Sequence, residues 1–341
     1  MIPSPHFPIS VIGAGSMGLL WAGYLAHEGW DVELICKLSP GRNSQGIIQV
    51  APPNQPQFKT SVSITENTPS PTKSRHLNKK MMANTVYNRE GKSSISVLLV
   101  AVKAYQVVDA ISSILDRLSN QTHIILIQNG MGSDLELLNQ YPSIQPHQLI
   151  YAITTHGAMN LSSAEKTGDR DIFRVKHTGL GVTWLGRKHA VGMPNSKSLD
   201  KLLQIPLING WVEDIERRLW QKLFVNAIIN PLTALLDCKN GQLILIEAQN
   251  LWSSLLKESI AIAKAQGHNF DFDTEKNRVL EVAQKTSMNY SSMHQDIKYH
   301  RTTEILYING FLVQQAKMAY EVCPMNQLLL AMIEMAQMKR Q

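Results

Sequence analysis

Cysteine is scarce in this chain of 341 residues: only Cys36, Cys238 and Cys323 occur, with no C-x-x-C spacing. That excludes a disulfide scaffold and reads as reduced thiols in a cytosolic protein. Long hydrophobic runs are missing too. A membrane-spanning helix needs roughly 20 apolar residues, and the best uninterrupted candidate, Ile95–Val102, stops far short. The uncharged stretch Ile9–Ala26 could pass for an export signal, but Met1–Pro8 carries no Lys or Arg, so none is expected. The 11 histidines show no H-E-x-x-H or other ligand spacing, and there is no G-x-S-x-G elbow. Neither metal nor serine-nucleophile chemistry is therefore expected.

What the chain does have is ordinary globular content, 44% apolar and 18% charged residues. This excludes a disordered or collagen-like chain and suffices for one large or two medium domains. Lys and Arg (33) exceed Asp and Glu (27), giving +6, which fits an anionic ligand. The basic cluster Lys73, Arg75, Lys79 and Lys80 has no interleaved aromatics. It reads as a solvated loop, so no nucleic-acid partner is expected.

Short apolar runs at Ile9–Ile12, Val32–Ile35, Val97–Val102 and Ile124–Ile127 read as strands. Amphipathic stretches at Met17–Glu28 and Tyr105–Leu118 read as helices, and the alternation implies βαβ units on a parallel sheet. "YAITTHGA", "FRVKHTG" and "GVTWLG" look strand-like. Helices are then expected over Trp211–Ile229, Gly241–Gln266, Asp273–Lys285 and Ser292–Tyr320, followed by a Met-rich one. The layout is an N-terminal α/β domain, residues 1–208, and an all-α C-terminal domain, residues 209–341. Residues Ala51–Lys92, rich in Pro, Ser, Asn, Thr and Lys, fit poorly. They read as an insertion, either mobile or holding a short hairpin near Phe58–Ile64.

Gly13-Ala14-Gly15-Ser16-Met17-Gly18 follows a strand and opens a helix, the context of a dinucleotide fingerprint. Gly13 allows the tight turn, Gly15 lets the backbone approach a pyrophosphate, and Gly18 lets helix and strand pack closely. The helix N-terminus faces the phosphates; a glycine turn of no function is the plain alternative. An NAD site wants an acid at the end of the second strand. Glu33 lies inside that strand, whereas Lys37 stands at its end with Arg42 shortly after. Cations there suit a 2′-phosphate and favour NADP(H), unless Lys37 is an ordinary surface lysine. Lys103 and Asn129 also follow strands, where ligands bind in open parallel sheets. A surface lysine and an Asn-Gly turn are their alternatives.

In the helical half, Lys222, Asn226 and Asn230 are spaced i, i+4, i+8 on one helix face among apolar neighbours. Such a stripe is costly unless something polar meets it or water covers it. Pro231 is expected to end this helix. Ser292 with Gln295 looks like a capping box, and Glu304 stands at helical spacing from His300 and Arg301, suited to a surface ion pair.

Taken together, "GAGSMG", "VAVKAYQ", "IQNGMG", "WQKLFVNAIINPLTAL" and "SSMHQDIKYHRTTEILYINGF" resemble, in order, the motifs of the ketopantoate reductases. The resemblance spans most of the chain, and the Ala51–Lys92 stretch departs from it. It implies a Rossmann-type dinucleotide-binding domain joined to a helical one, with substrate in the cleft between them. It also implies NADPH-dependent reduction of ketopantoate to pantoate by a monomer or homodimer. By position, it makes Lys222 the general acid and Glu304 its partner. Asn226, Asn230, Asn240 and Ser292 become substrate ligands, and Lys103 and Asn129 lie on the nicotinamide side. A paralogue acting on another 2-keto acid, or a non-catalytic dinucleotide sensor, would share much of this pattern.

Overall fold

A computed structural model describes residues 7–37, 44–67, 94–161, 165–167, 170–188 and 192–338. They form two compact units: Met1–Gln128 with Asp134–Ile215, and Asn129–Ser133 with Glu216–Gln341.

The first unit alternates strands and helices in chain order: β1 (Pro8–Ile12), α1 (Ser16–His27), β2 (Asp31–Cys36), β3 (Gln45–Ala51), β4 (Phe58–Glu66), β5 (Ile95–Val100), α2 (Val107–Ser112), β6 (Leu118–Leu126), α3 (Ser133–Gln140), β7 (Leu149–Thr154), β8 (Gly157–Asn160), β9 (Glu165–Thr167), β10 (Arg170–Gly179), β11 (Thr183–Gly186), α4 (Lys197–Leu202) and β12 (Gly210–Trp211). Among the described residues they make a mixed sheet ordered β12-β11-β7-β6-β5-β1-β2-β4-β3-β10-β8, with β9 also on β10. The central pairs β7–β6, β6–β5, β5–β1 and β1–β2 are parallel. Their runs of Ile, Leu and Val are buried because α1 covers them with Leu19, Leu20, Trp21 and Leu25, all fully buried.

The second unit is helical: α5 (Ile215–Leu235), α6 (Ile246–Ala265), α7 (Phe272–Lys285), α8 (Ser292–Lys298), α9 (Asn309–Met318) and α10 (Pro324–Met338). Leu223, Phe224, Ala227 and Ile228 of α5 recur at helical spacing and pack with Trp252, Leu255 and Leu312 in its core.

Several expected boundaries move. The expected helix Tyr105–Leu118 is only α2 at its centre. A 3-10 turn, Leu115–Arg117, then delivers Arg117 to Glu33, and Leu118 already belongs to β6. Trp211 pairs with Leu185 in the sheet and precedes the helix. The hairpin expected near Phe58–Ile64 is β4 paired with β3, an integral part of the sheet. The basic cluster Lys73–Lys80 lies outside the described residues. Ser292–Tyr320 is broken after α8, where His300 takes φ 55° and Arg301 turns back onto Asp296. Pro231 does not end α5. The carbonyl it deprives of a partner, that of Ala227, accepts from Asn309 Nδ2 at 3.1 Å, and the helix runs on to Leu235.

Glu33 sits on β2 with both carboxylate oxygens engaged. Arg117 donates to them at 2.9 and 2.8 Å, joined by the hydroxyls of Ser10 and Thr65. Burial alone would raise the Glu33 pKa, but these hydrogen bonds and the Arg117 charge override it and hold it below the ordinary glutamate range. A depressed carboxylate contributes stability above its ordinary range and loses it as pH falls. Arg117→Ala leaves a half-buried carboxylate with the Ser10 and Thr65 hydroxyls but no cation, and is expected to cost about 2 kcal/mol in urea unfolding at pH 7. That loss should shrink on acidification, as Glu33 becomes protonated.

Candidate active site

The chain leaves β1 towards β2 on one side and returns to β5 on the other, so the glycine loop stands where the strand order reverses. Ligands of open parallel sheets bind there. Gly13 adopts φ +110°, and a Cβ on Gly18 would lie 1.8 Å from the Gly13 carbonyl oxygen, so α1 can approach the loop only as glycine. Gly15 differs. Among the described residues a Cβ there would meet nothing closer than 4.0 Å, so the room beside it serves none of their packing. Gly15 is also the N-cap of α1 with no side-chain cap, and the first turn carries no acid. Open backbone N–H groups with this polarity fit a pyrophosphate. Ala14 and Met17 pack against the sheet core. The Ser16 hydroxyl accepts from the backbone N–H of Asn160 at 3.1 Å.

Lys37 is exposed just beyond β2, and Arg42 lies outside the described residues. Glu33, with both oxygens taken up inside the sheet, has no capacity left for a ribose hydroxyl. Lys103 follows β5, half-buried, and its backbone N–H donates to Gln106 Oε1 at 3.2 Å.

In the helical unit, Lys222 and Asn226 are half-buried on α5 and Asn230 is 7% exposed, so the stripe is not a solvated one. Burial lowers the Lys222 pKa from its ordinary value to about 8, while the negative charge of Glu304 pulls it back up. Glu304 is 5% exposed, which removes the surface-ion-pair alternative; Arg301 pairs with Asp296. Asn129 Nδ2 donates to Glu304 Oε2 at 3.2 Å, so this residue, expected on the cofactor side, reaches the carboxylate beside Lys222. The backbone holds that contact: Met131 N–H donates to the Tyr307 carbonyl at 2.8 Å. Gly130, at φ +80°, passes so close that a Cβ would lie 2.2 Å from the same oxygen.

Asn240 donates through Nδ2 to Thr286 Oγ1 at 2.9 Å, and its Oδ1 is buried without a protein partner. The cap of α8 is Ser291, whose hydroxyl accepts from His294 N–H at 3.1 Å, so the capping reading for Ser292 shifts by one residue. Ser292 itself is exposed. Sequence reasoning assigned nothing to Asn160 or Asn309, whose contacts span 144 and 82 residues and leave no local signal. Among the described residues no three His, Cys, Asp or Glu side chains gather as metal ligands, and no helix is long and apolar enough to cross a membrane.

A nonpolar helix presenting an ammonium and two amides, faced by a carboxylate on a separate turn, can bind a polar anionic molecule and hand a proton to an oxygen of it. Comparison with known proteins gives the family. Residues 9–189 match the family model of ketopantoate reductase PanE/ApbA, and residues 214–337 match that of its C terminal. The chain is 33% identical over 327 residues to the 2-dehydropantoate 2-reductase of Shigella flexneri, covering 96% of this chain and 94% of that one. It is 29% identical over 326 residues to that of Vibrio cholerae, covering 96% of each. The crystal structure of the probable 2-dehydropantoate 2-reductase of Bacillus subtilis superimposes with a TM-score of 0.72 at 28% identity, over 96% of this chain and 99% of that one. The chain belongs to the ketopantoate reductase PanE/ApbA family.

Proposed function

We propose that this protein reduces ketopantoate (2-dehydropantoate) to pantoate with NADPH, the reducing step that supplies pantothenate and coenzyme A synthesis. The observation that carries the reading is the buried Glu304, held by Asn129 and set beside Lys222, whose helix face also bears Asn226 and Asn230. The names of the relatives point the same way.

The glycine loop from Gly13 to Gly18, with Ala14, Ser16 and Met17 between, holds the pyrophosphate on the amides at the start of α1. Lys37 meets the 2′-phosphate. Lys103 and Asn129 serve the nicotinamide side, Asn129 also steadying Glu304. When bound, the reduced nicotinamide supplies a hydride to the ketone carbon. Charge then builds on the ketone oxygen, and the Lys222 ammonium stabilises it and donates the proton. Glu304 keeps that ammonium in place and accepts from a substrate hydroxyl. Asn226, Asn230, Asn240 and Ser292 bind the hydroxyl and carboxylate groups; the unpartnered Asn240 Oδ1 supports its share of that task. The enzyme works as a cytosolic monomer or homodimer on a small 2-keto acid.

NADPH consumption with ketopantoate, beside NADH and a panel of other 2-keto acids, tests the reading. Turnover of ketopantoate with NADPH alone is expected; turnover of a different keto acid in preference would reassign the substrate. Lys222→Ala should lose turnover by about 10²- to 10⁴-fold, the usual worth of a general acid, with NADPH binding retained. Because the acid form of Lys222 is the active one, kcat/KM should fall as pH rises through about 8. In Glu304→Gln, which removes the charge that raises this pKa, that limb should move to lower pH. Gly18→Ala should abolish NADPH binding, read by fluorescence titration, since its methyl group has no room against the Gly13 carbonyl.

A further inference from the structure

Helix α5 runs one turn beyond Pro231. Proline has no N–H, so the carbonyl of Ala227 lacks its helical partner. Asn309 Nδ2 supplies one at 3.1 Å from the start of α9. The same amide nitrogen donates to Asn326 Oδ1 at 3.0 Å. Asn326 Nδ2 in turn donates to Glu258 Oε2 at 3.0 Å, and the Glu258 carboxylate accepts the backbone N–H groups of Met325 and Asn326. Asn309 and Asn326 are fully buried. The amide orientation is forced, because a carbonyl can only accept. Asn309 Oδ1 is left buried with no partner, a cost that marks the side chain as retained for its donors.

The place of this contact matters more than its strength. Ala227 directly follows Asn226, and Pro231 directly follows Asn230, so the gap in the helix ladder lies between two residues of the polar face. Asn309 is separated from Glu304 only by the 3-10 turn Ile305–Tyr307 and Ile308. A contact from Asn309 to Ala227 therefore ties the helix carrying Lys222 to the turn carrying Glu304. An ordinary residue at 231 would close the ladder within the helix, and the link across would lose its vacant acceptor.

We infer that Asn309 is a positioning residue for the reduction: it replaces the amide proton that Pro231 lacks and so sets the register between the Lys222 helix and the Glu304 turn. The inference rests on the reading of Lys222 and Glu304 as the proton-handling pair.

The test is a double-mutant cycle on the full chain, with steady-state turnover of ketopantoate and NADPH as readout. Asn309→Ala should lower kcat by about tenfold, the coupling typical of residues sharing one network, and leave NADPH affinity unchanged. It should also displace the alkaline limb of the pH profile, which a merely structural loss would not move. Pro231→Ala restores an N–H for Ala227 and takes away the vacant acceptor, so it should lower kcat in the same direction. In the double variant kcat should be no lower than in Asn309→Ala alone, because both changes remove one link. Asn326→Ala leaves the Ala227 acceptor in place, so its effect should add to that of Pro231→Ala. If Asn309→Ala yields no folded protein, Pro231→Ala carries the test: a displaced alkaline limb in that variant supports the inference, and a wild-type limb overturns it. Unchanged kcat in Asn309→Ala, or losses that simply multiply in the double variant, also overturns it. Lys222→Ala assayed alongside separates the two claims. Undiminished turnover there defeats the reading of the pair. Loss there without coupling between positions 231 and 309 defeats only the role given to Asn309.

Discussion

A lysine ammonium carried into a nonpolar helix bundle loses most of its hydration, and the bundle must answer that loss with charge or let the proton go. Here it does some of each. Burial brings the pKa of Lys222 down to about 8, and Glu304 keeps it from falling further. Glu304 and the helix that carries Lys222 are each held by contacts from elsewhere in the unit. Asn129 donates to Glu304, the Gly130 backbone passes against Tyr307, and Asn309 bridges to the helix that carries the lysine. An acid poised near neutrality is what protonation of a ketone oxygen at physiological pH requires.

The other unit manages charge in the opposite way. Its one acid placed near a ribose-binding distance in sequence, Glu33, is neutralised inside the sheet by Arg117, Ser10 and Thr65. Near the glycine loop stand uncapped backbone N–H groups, the cation Lys37, and space beside Gly15 that no described atom fills. Backbone donors and a cation suit phosphate groups, in keeping with the NADP(H) of the family.

The parts of the fold that were legible in sequence are those set by local pattern. Apolar runs marked β1, β2, β5 and β6, glycines marked the loop between β1 and α1, and the i, i+4, i+8 spacing put Lys222, Asn226 and Asn230 on one face. Features decided by distant partners were not legible. The α2 region reads as one long helix, because nothing in Leu115–Arg117 announces a salt bridge to Glu33, 84 residues away. Pro231 reads as a helix end, because the donor that compensates it stands on another helix. Asn129 looked like a turn or cofactor residue, and only folding brings it to Glu304. Ser292 looked like a cap until its neighbour Ser291 took that role and left it exposed.

The most direct test of the central claim is to titrate Lys222 itself. In protein labelled at the lysine side-chain carbons, the Lys222 resonance, assigned by its loss in Lys222→Arg, would be followed from pH 6 to pH 12. The account requires a midpoint near 8. A midpoint in the ordinary lysine range, near 10.5, would mean that the ammonium is well solvated. The general-acid role derived from its burial would then be wrong.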